Sequence, residues 1–530
     1  MTVLQRISAY LFYLLFFCSA SAYSQPARDW WDLLHYDIEI RPNYDKQTVS
    51  GSNSIRFLVL NPGQEMQIDL QQPMTLTAVS WLGTSLPFRR TGNAWFIRFP
   101  RLLPKGDRET VELRFGGNPR TAVHPPYDNG WIWTKDRQDR PWVSVTCEGS
   151  GASIWLPCKD VLRDEPDSGV SMAITIPDSL TAVSNGRLKT RTANKDSTTT
   201  WRWAVVNPIN NYDIIPYIGK YVSWHETYTG EKGRLDCDYW VLDYDLAKAR
   251  DQFRQADSML HCFEYWMGPY PFYEDSYKLV EAPHPGMEHQ SAIAYGNGFM
   301  DGFGGKDLSG TGWGLKWDFI LVHESAHEWF GNSITAKGDG DSWIHEGFAK
   351  YLETIYTTCV SGTEAGNDYA IGIRKRIRND ESIITGNTQD KYNKGSAMLH
   401  MIRQILGDEG FRTMLRALNK RFYHQTVSTG QLTDYCSKIT GRDLSRIFDQ
   451  YLRTTQIPLL EYSIQGDMLR YRWANCVKGF NMPVKVTQEG QSPVLLNPID
   501  RWQRLPSRKW TGKSLSVDRN YYVGLKSIKA

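Results

Sequence analysis

Two histidines four residues apart bracket a glutamate in the run His323-Glu324-Ser325-Ala326-His327. On a helix, positions i and i+4 share a face, so the two imidazoles can hold one divalent cation between them. The carboxylate between them is placed to take a proton from water beside that cation. A metal that activates water needs a third protein ligand and one open position. Glu346 follows His327 with 18 residues between them and opens a second helical run. Two imidazoles and a carboxylate with a free position suit zinc, one ion per chain. A third histidine is excluded as the last ligand, because the glycine and histidine it would require at 330 and 333 are Phe330 and Ser333.

The longer segments HESAHEWFGN (323–332) and WIHEGFAKYLE (343–353) resemble the aminopeptidase N family of zinc metallopeptidases, which includes leukotriene hydrolase. The resemblance runs over roughly residues 30 to 530, with His345 standing where the family pattern has Asn. It implies His323, His327 and Glu346 as metal ligands and Glu324 as general base. Pro285-Gly286-Met287-Glu288-His289 resembles the family's G-x-M-E-N exopeptidase motif, although Gly286 directly precedes Met287 and His289 replaces Asn. By that match Glu288 holds the substrate's free α-ammonium, and the backbone of Gly286 and Met287 pairs with the peptide. Tyr392-Asn393-Lys394-Gly395 resembles the family's Y-x-K-G segment, which makes Tyr392 the donor to the oxyanion. Thr146-Cys147-Glu148-Gly149 resembles the region that supplies a second amine-binding side chain, and Glu148 falls on that position.

These groups must be positioned by a chain that changes texture along its length. Residues 30 to 225 are strand-like: His35–Arg41, Ser54–Leu60 and Ala94–Phe99 mix alternation with β-branched and aromatic residues, and Gly, Pro and Asn punctuate them. Helical periodicity follows at Leu246–Met267, Leu315–Phe330, Ile344–Tyr356, Ser396–Leu406, Phe411–Phe422 and Asp443–Leu452. Short strand patterns return from Ile457. The expectation is a multi-domain α+β protein: a signal peptide at 1–22, an N-terminal β domain at 23–225, a mainly helical zinc domain at 226–455 and a small β domain at 456–530. The resemblance adds that these are a β-saddle, a thermolysin-like catalytic domain and a β-sandwich.

Composition excludes several classes. Of 530 residues, 41% are hydrophobic, 13% aromatic and 22% charged, with a net charge of +3. Such a chain builds cores rather than remaining disordered, and its balanced charge offers nothing to nucleic acid or a membrane surface. No phosphate-binding glycine loop and no G-x-S-x-G elbow is present. Arg6, the apolar run Leu11–Phe17 and the A-x-A at Ala20 and Ala22 read as a secretory signal, too short to span a bilayer. Export to the periplasm or beyond, with no stable membrane anchor, is the expectation. After Cys18, seven scattered cysteines remain; they do not form a disulfide framework, and Cys147–Cys158 is the pair considered.

The sequence therefore points to an exported zinc aminopeptidase acting on peptides with a free N-terminus. The alternatives are a zinc endopeptidase or dipeptide-releasing enzyme of the same fold, or an inactive zinc-bound peptide-binding protein.

Overall fold

The computed structural model describes residues 26–506 and 514–528. The expected signal segment lies outside the described residues. The N-terminal part is built on an eight-stranded sheet whose centre is Trp31–Asn43, antiparallel to Thr48–Val59 and parallel to Val170–Pro177. Along that strand Leu33, Tyr36, Ile38 and Ile40 are buried, while Asp37, Glu39 and Arg41 face solvent. A period of two thus packs one face and wets the other. A second, four-stranded sheet contains Gly130–Lys135 and Pro141–Thr146 and ends at the turn that carries Glu148.

A mixed five-stranded sheet links this β-rich part to the helices. Its order is Tyr221–Gly230, Gly233–Leu242, Tyr277–Glu281, Ile293–Tyr295 and Gly286–Met287. Tyr221–Gly230 runs through residue 225, where the texture change suggested a boundary, because its hairpin partner is the strand Gly233–Leu242. At the far edge Gly286 pairs with Tyr295 and Met287 with Ala294, leaving the other side of this two-residue strand without a neighbour in the sheet.

Four helices matter for the site: α1 (Gln255–Met267), α2 (Phe319–Ala326), α3 (Trp343–Ser361) and α4 (Asp390–Arg421). The helical run expected at Leu246–Met267 is divided, with α1 preceded by the short helix Leu246–Gln252. The run expected over Leu315–Phe330 is helical only over Phe319–Ala326. There the Asp318 carboxylate accepts the Leu321 N–H at 3.2 Å and caps the first turn. The two runs at 396–406 and 411–422 are two helical stretches within α4, separated at Gly407 by a φ of 71° that glycine adopts without steric cost.

The short strands from Leu459 onward form sheets of four and three, and their apolar residues share one core with the catalytic helices. Cysteine pairing differs from the pair considered. Cys147 and Cys158 are separate buried thiols, whereas Cys262 of α1 is bonded to Cys359 of α3 across 97 residues. Cys147 and Cys158 are close in sequence, but the fold gives each thiol its own niche in the β core. Among the described residues, no helix is long and apolar enough to cross a membrane.

Candidate active site

His323 and Glu324 occupy the last turns of the short, buried helix α2, and His327 is its C-terminal cap, still in the right-handed helical conformation. Glu346 comes from the first turn of α3, which packs against α2. The structure brings one ligand atom of each of His323, His327 and Glu346 within 4.8 Å of the others. Glu346 Oε2 lies 3.8 Å from His323 Nε2 and 3.6 Å from His327 Nε2. Two donors about 2.0–2.2 Å from a tetrahedral ion stand about 3.3–3.6 Å apart, so the set fits zinc with little rearrangement.

Each ring is oriented for that task through its other nitrogen. His323 Nδ1–H donates to Glu353 Oε1 at 2.8 Å, and His327 Nδ1–H donates to the Phe330 carbonyl at 3.0 Å. Both leave Nε2 with a free lone pair, as a metal-binding imidazole requires. Glu353 also accepts the Tyr369 hydroxyl at 2.6 Å and pairs with Lys350 at 3.0 Å. It lies seven residues beyond Glu346, two turns further along α3. Sequence reasoning assigned it no role; the signal was there, since a residue at i+7 returns to the same helix face.

The electrostatics agree with the donor set. Burial raises the Glu346 carboxyl, but neighbouring His323 and the charges of His327 and Lys391 outweigh it and hold the pKa at about 2. Burial pushes His327 down to about 4, a neutral ring. At His323 burial is overcome by Glu346 and Glu353, which raise it to about 10. That is a demand for positive charge which either a proton or a metal ion meets.

Glu324 and Glu288 complete the interior. One oxygen of each lies within 4.8 Å of the other and of a nitrogen of His327. Burial raises Glu324 to about 8 and Glu288 to about 7. A base with such a pKa can both take and return a proton near neutral pH. Gly286 explains the close approach of the Gly286–Met287 strand: a Cβ there would lie 2.6 Å from Glu324 Oε1. Any side chain at 286 would collide with the base. The Glu288 carbonyl accepts from Asn332 Nδ2 at 2.7 Å, which ties this loop to the segment that follows His327. Asn332 closes the HESAHEWFGN segment, and nothing in that motif points to this bond.

His289, where the motif departs from Asn, is fully buried and bonds through Nδ1 to the Tyr217 hydroxyl at 2.7 Å. The loop's internal bonding is thus kept by a different partner. His345, the other departure, accepts the Ala336 N–H on Nε2 at 2.7 Å and stays out of the ligand set.

Glu148 sits in an exposed turn after Pro141–Thr146, open to water but electrostatically inside the site. The neighbouring Glu288 charge is the largest cause of its raised pKa, followed by burial and Glu346. The Asn129 side chain fixes this turn by accepting the Gly149 N–H at 2.9 Å and the Ser150 N–H at 3.2 Å. Tyr392, near the start of α4, donates its hydroxyl to Glu346 and stacks its ring at 6.3 Å from that of His323. Lys391, not anticipated, stands 3.6 Å from Glu346 Oε1. Its own pKa is raised by Glu346, Glu148 and Glu288 against the effect of burial.

The arrangement can hold one zinc ion, activate a water beside it and bind a cation between two carboxylates. Comparison with known proteins is consistent with it. The Peptidase M1 N-terminal domain matches residues 33–212, and the Peptidase family M1 domain matches residues 258–451. Aminopeptidase N of Lactococcus lactis subsp. lactis is 22% identical over 472 residues, which span 82% of this chain and 52% of that protein. Endoplasmic reticulum aminopeptidase 1 of Homo sapiens is 24% identical over 379 residues, 67% of this chain and 39% of that protein. The chain thus spans about half, or less, of the length of these curated relatives. The crystal structure of the M1 zinc metallopeptidase from Deinococcus radiodurans superposes with a TM-score of 0.69 at 20% identity, covering 81% of this chain and 94% of that one. A mutant of that enzyme bound to a Tyr-ser-ala substrate gives a TM-score of 0.70 at 20% identity, over 81% of this chain and 95% of that one.

Proposed function

The chain belongs to the peptidase M1 family, and from that premise we propose that it is an exported zinc aminopeptidase removing single residues from the free N-terminus of peptides. One observation carries the reading. Glu288 is held beside both Glu324 and His327, with donor atoms within 4.8 Å, so an acid that can bind an ammonium sits next to the base and the metal position. A substrate whose terminal amine pairs with Glu288 has its first carbonyl carbon, two bonds away, at the reacting centre. Cleavage then falls after the first residue. The tripeptide bound by the Deinococcus radiodurans relative supports the same substrate class.

Zinc, when bound by His323, His327 and Glu346, supplies a Lewis acid and lowers the pKa of water to about 7. The chain's own residues do the rest. Glu324 takes one proton from the attacking water and delivers it to the leaving nitrogen, so a C–N bond breaks, a C–O bond forms and the proton count closes. The Tyr392 hydroxyl turns from Glu346 to the substrate carbonyl oxygen as that oxygen gains charge. Glu288 and Glu148 hold the ammonium, and the free side of the Gly286–Met287 edge accepts the peptide backbone as an added strand. Export rests on the signal-like N-terminus and is supported by the Cys262–Cys359 bond, a feature of oxidising compartments.

The test is kcat/KM for matched peptides with free and acetylated N-termini, on enzyme with and without chelator. Glu148 and Glu288 repel each other, Lys391 offsets that only in part, and a bound ammonium relieves the rest. An acetylated substrate brings none, so a preference of at least about 10² for the free amine is expected. Equal values would make the endopeptidase reading the better one. Full activity in metal-free enzyme would remove the reading altogether.

A further inference from the structure

Behind the metal helix, a cavity of about 520 Å³ opens between the C-terminal end of α1, the segment that follows His327 and the last turns of α4. Its lining is largely apolar: Met267, Pro271 and Trp329 are buried, and Pro269, Ala417 and Tyr423 offer surface to the cavity. Its rim is cationic and exposed, with Lys232 and Lys420 on the lining. Among the described residues neither of these lysines has an ion-pair partner, whereas the third cation, Arg416, is committed to Glu231 at 2.7 Å and to the Glu264 carbonyl at 2.7 Å. Lys232 Nζ instead lies 3.4 Å from the Tyr423 hydroxyl and 4.9 Å from the centre of its ring. Among the described residues, no carboxylate lines the cavity. One buried acceptor does: Asn419 is 9% exposed, its amide donates to the Leu415 carbonyl at 3.0 Å, and its Oδ1 has no hydrogen-bond partner.

We propose that this cavity is a second ligand site, separate from the zinc cleft, for a small hydrophobic carboxylic acid carrying one N–H or O–H donor. Each part of that ligand answers a part of the wall. An apolar body replaces water over Pro269, Ala417 and Tyr423. A carboxylate meets two rim cations, Lys232 and Lys420, that have no ion-pair partner among the described residues. The donor satisfies Asn419 Oδ1, which costs free energy while it stays buried without a partner. The volume is that of a site for a small organic molecule rather than for a single ion or water. Apolar walls with a few convergent polar groups are the usual build of such sites. N-acyl derivatives of hydrophobic amino acids combine all three features, and their blocked amine keeps them from the amine clamp.

The experiment is calorimetric titration of the zinc-loaded full chain with N-acetyl-L-phenylalanine, and with the uncharged N-acetyl-L-phenylalaninamide as control. For a ligand of this size a Kd of about 0.1–1 mM is expected. The amide should bind at least about tenfold more weakly. The double variant Lys232→Ala/Lys420→Ala should lose about the same factor for the acid and nothing for the amide. Ala417→Trp, which fills the cavity, should abolish binding of both. A peptide hydroxamate that occupies the zinc cleft should leave the titration unchanged. Equal binding of acid and amide, insensitivity to all three substitutions, or displacement by the hydroxamate would each overturn the proposal. Because the readout is heat and not peptide hydrolysis, its failure leaves the aminopeptidase reading standing, and the reverse holds too.

Discussion

The metal half and the amine half of this site meet at Glu324, yet they are built by different means. The metal half is carried by two buried helices, α2 and α3. Each ligand side chain there has a second bond that fixes it: His323 to Glu353, His327 to Phe330, Glu346 to Tyr392. The amine half is carried by the end of a two-residue edge strand and by an exposed turn, steadied by Asn332 and Asn129. Its two carboxylates repel each other, and burial and proximity raise both pKa values. One half is fixed before any ligand arrives. The other is completed by the charge of what it binds. On the proposed reading, the chemistry that tolerates no misplacement is assigned to helices, and selection of the substrate end to loops.

The comparison can be broken most severely at the shared residue. Glu324→Gln keeps the shape of both halves and should lower kcat by about 10²–10⁴, with zinc content unchanged by metal analysis. Loss of zinc in that variant would mean Glu324 belongs to the metal half only. Tyr392→Phe should cost about 10²–10³ in kcat with a small change in KM, because the oxyanion exists only near the transition state. Steady-state kinetics on an aminoacyl amide decides this, and parental kcat would make Tyr392 merely a support for Glu346.

Two milder substitutions sharpen the contrast. Glu353→Gln should weaken zinc binding by about 10- to 100-fold while leaving kcat of the zinc-saturated enzyme close to the parent, measured by chelator competition. Asn129→Ala releases the Glu148 turn. It should raise KM for free-amine peptides by about three- to tenfold, the worth of one or two hydrogen bonds, and leave zinc affinity untouched. If Asn129→Ala changed zinc affinity as much as Glu353→Gln does, the two halves would not be separable.

The same contrast decides what could be read from the chain. The ligands His323 and His327 are four residues apart on one helix, so their meeting is a matter of local geometry, and Glu346 follows at a spacing the family resemblance makes recognisable. The β-rich, helical and β-rich succession was legible too, because periods of two and 3.6 are local properties. Glu148 needed the resemblance, since 140 residues separate it from Glu288 and nothing local brings them together. Asn129 and Lys391 carry no pattern, because their roles arise only when distant turns are packed against the cleft. The bond between Cys262 and Cys359 was unreadable for the same reason, while the nearer pair Cys147 and Cys158 attracted attention by closeness in sequence alone. The helix interruption at Gly407 was legible as the gap between the runs 396–406 and 411–422, because glycine admits the backbone angle that breaks the helix there.

The Cys262–Cys359 bond also turns part of the chain into a closed loop. Glu288, His323, Glu324, His327 and Glu346 all lie on that loop, while Glu148 and Tyr392 lie outside it. The loop's most exposed stretch holds Gly304, Gly305, Gly310 and Gly312, all at positive φ, in the kind of surface segment that proteases nick first. A cut there opens the polypeptide but releases nothing: the two pieces remain one covalent body, with every zinc donor still aboard. Nicked enzyme would migrate as a single species until a thiol reagent is added, and as two fragments afterwards. The bridge then acts as damage tolerance, letting the catalytic core outlast its own scission.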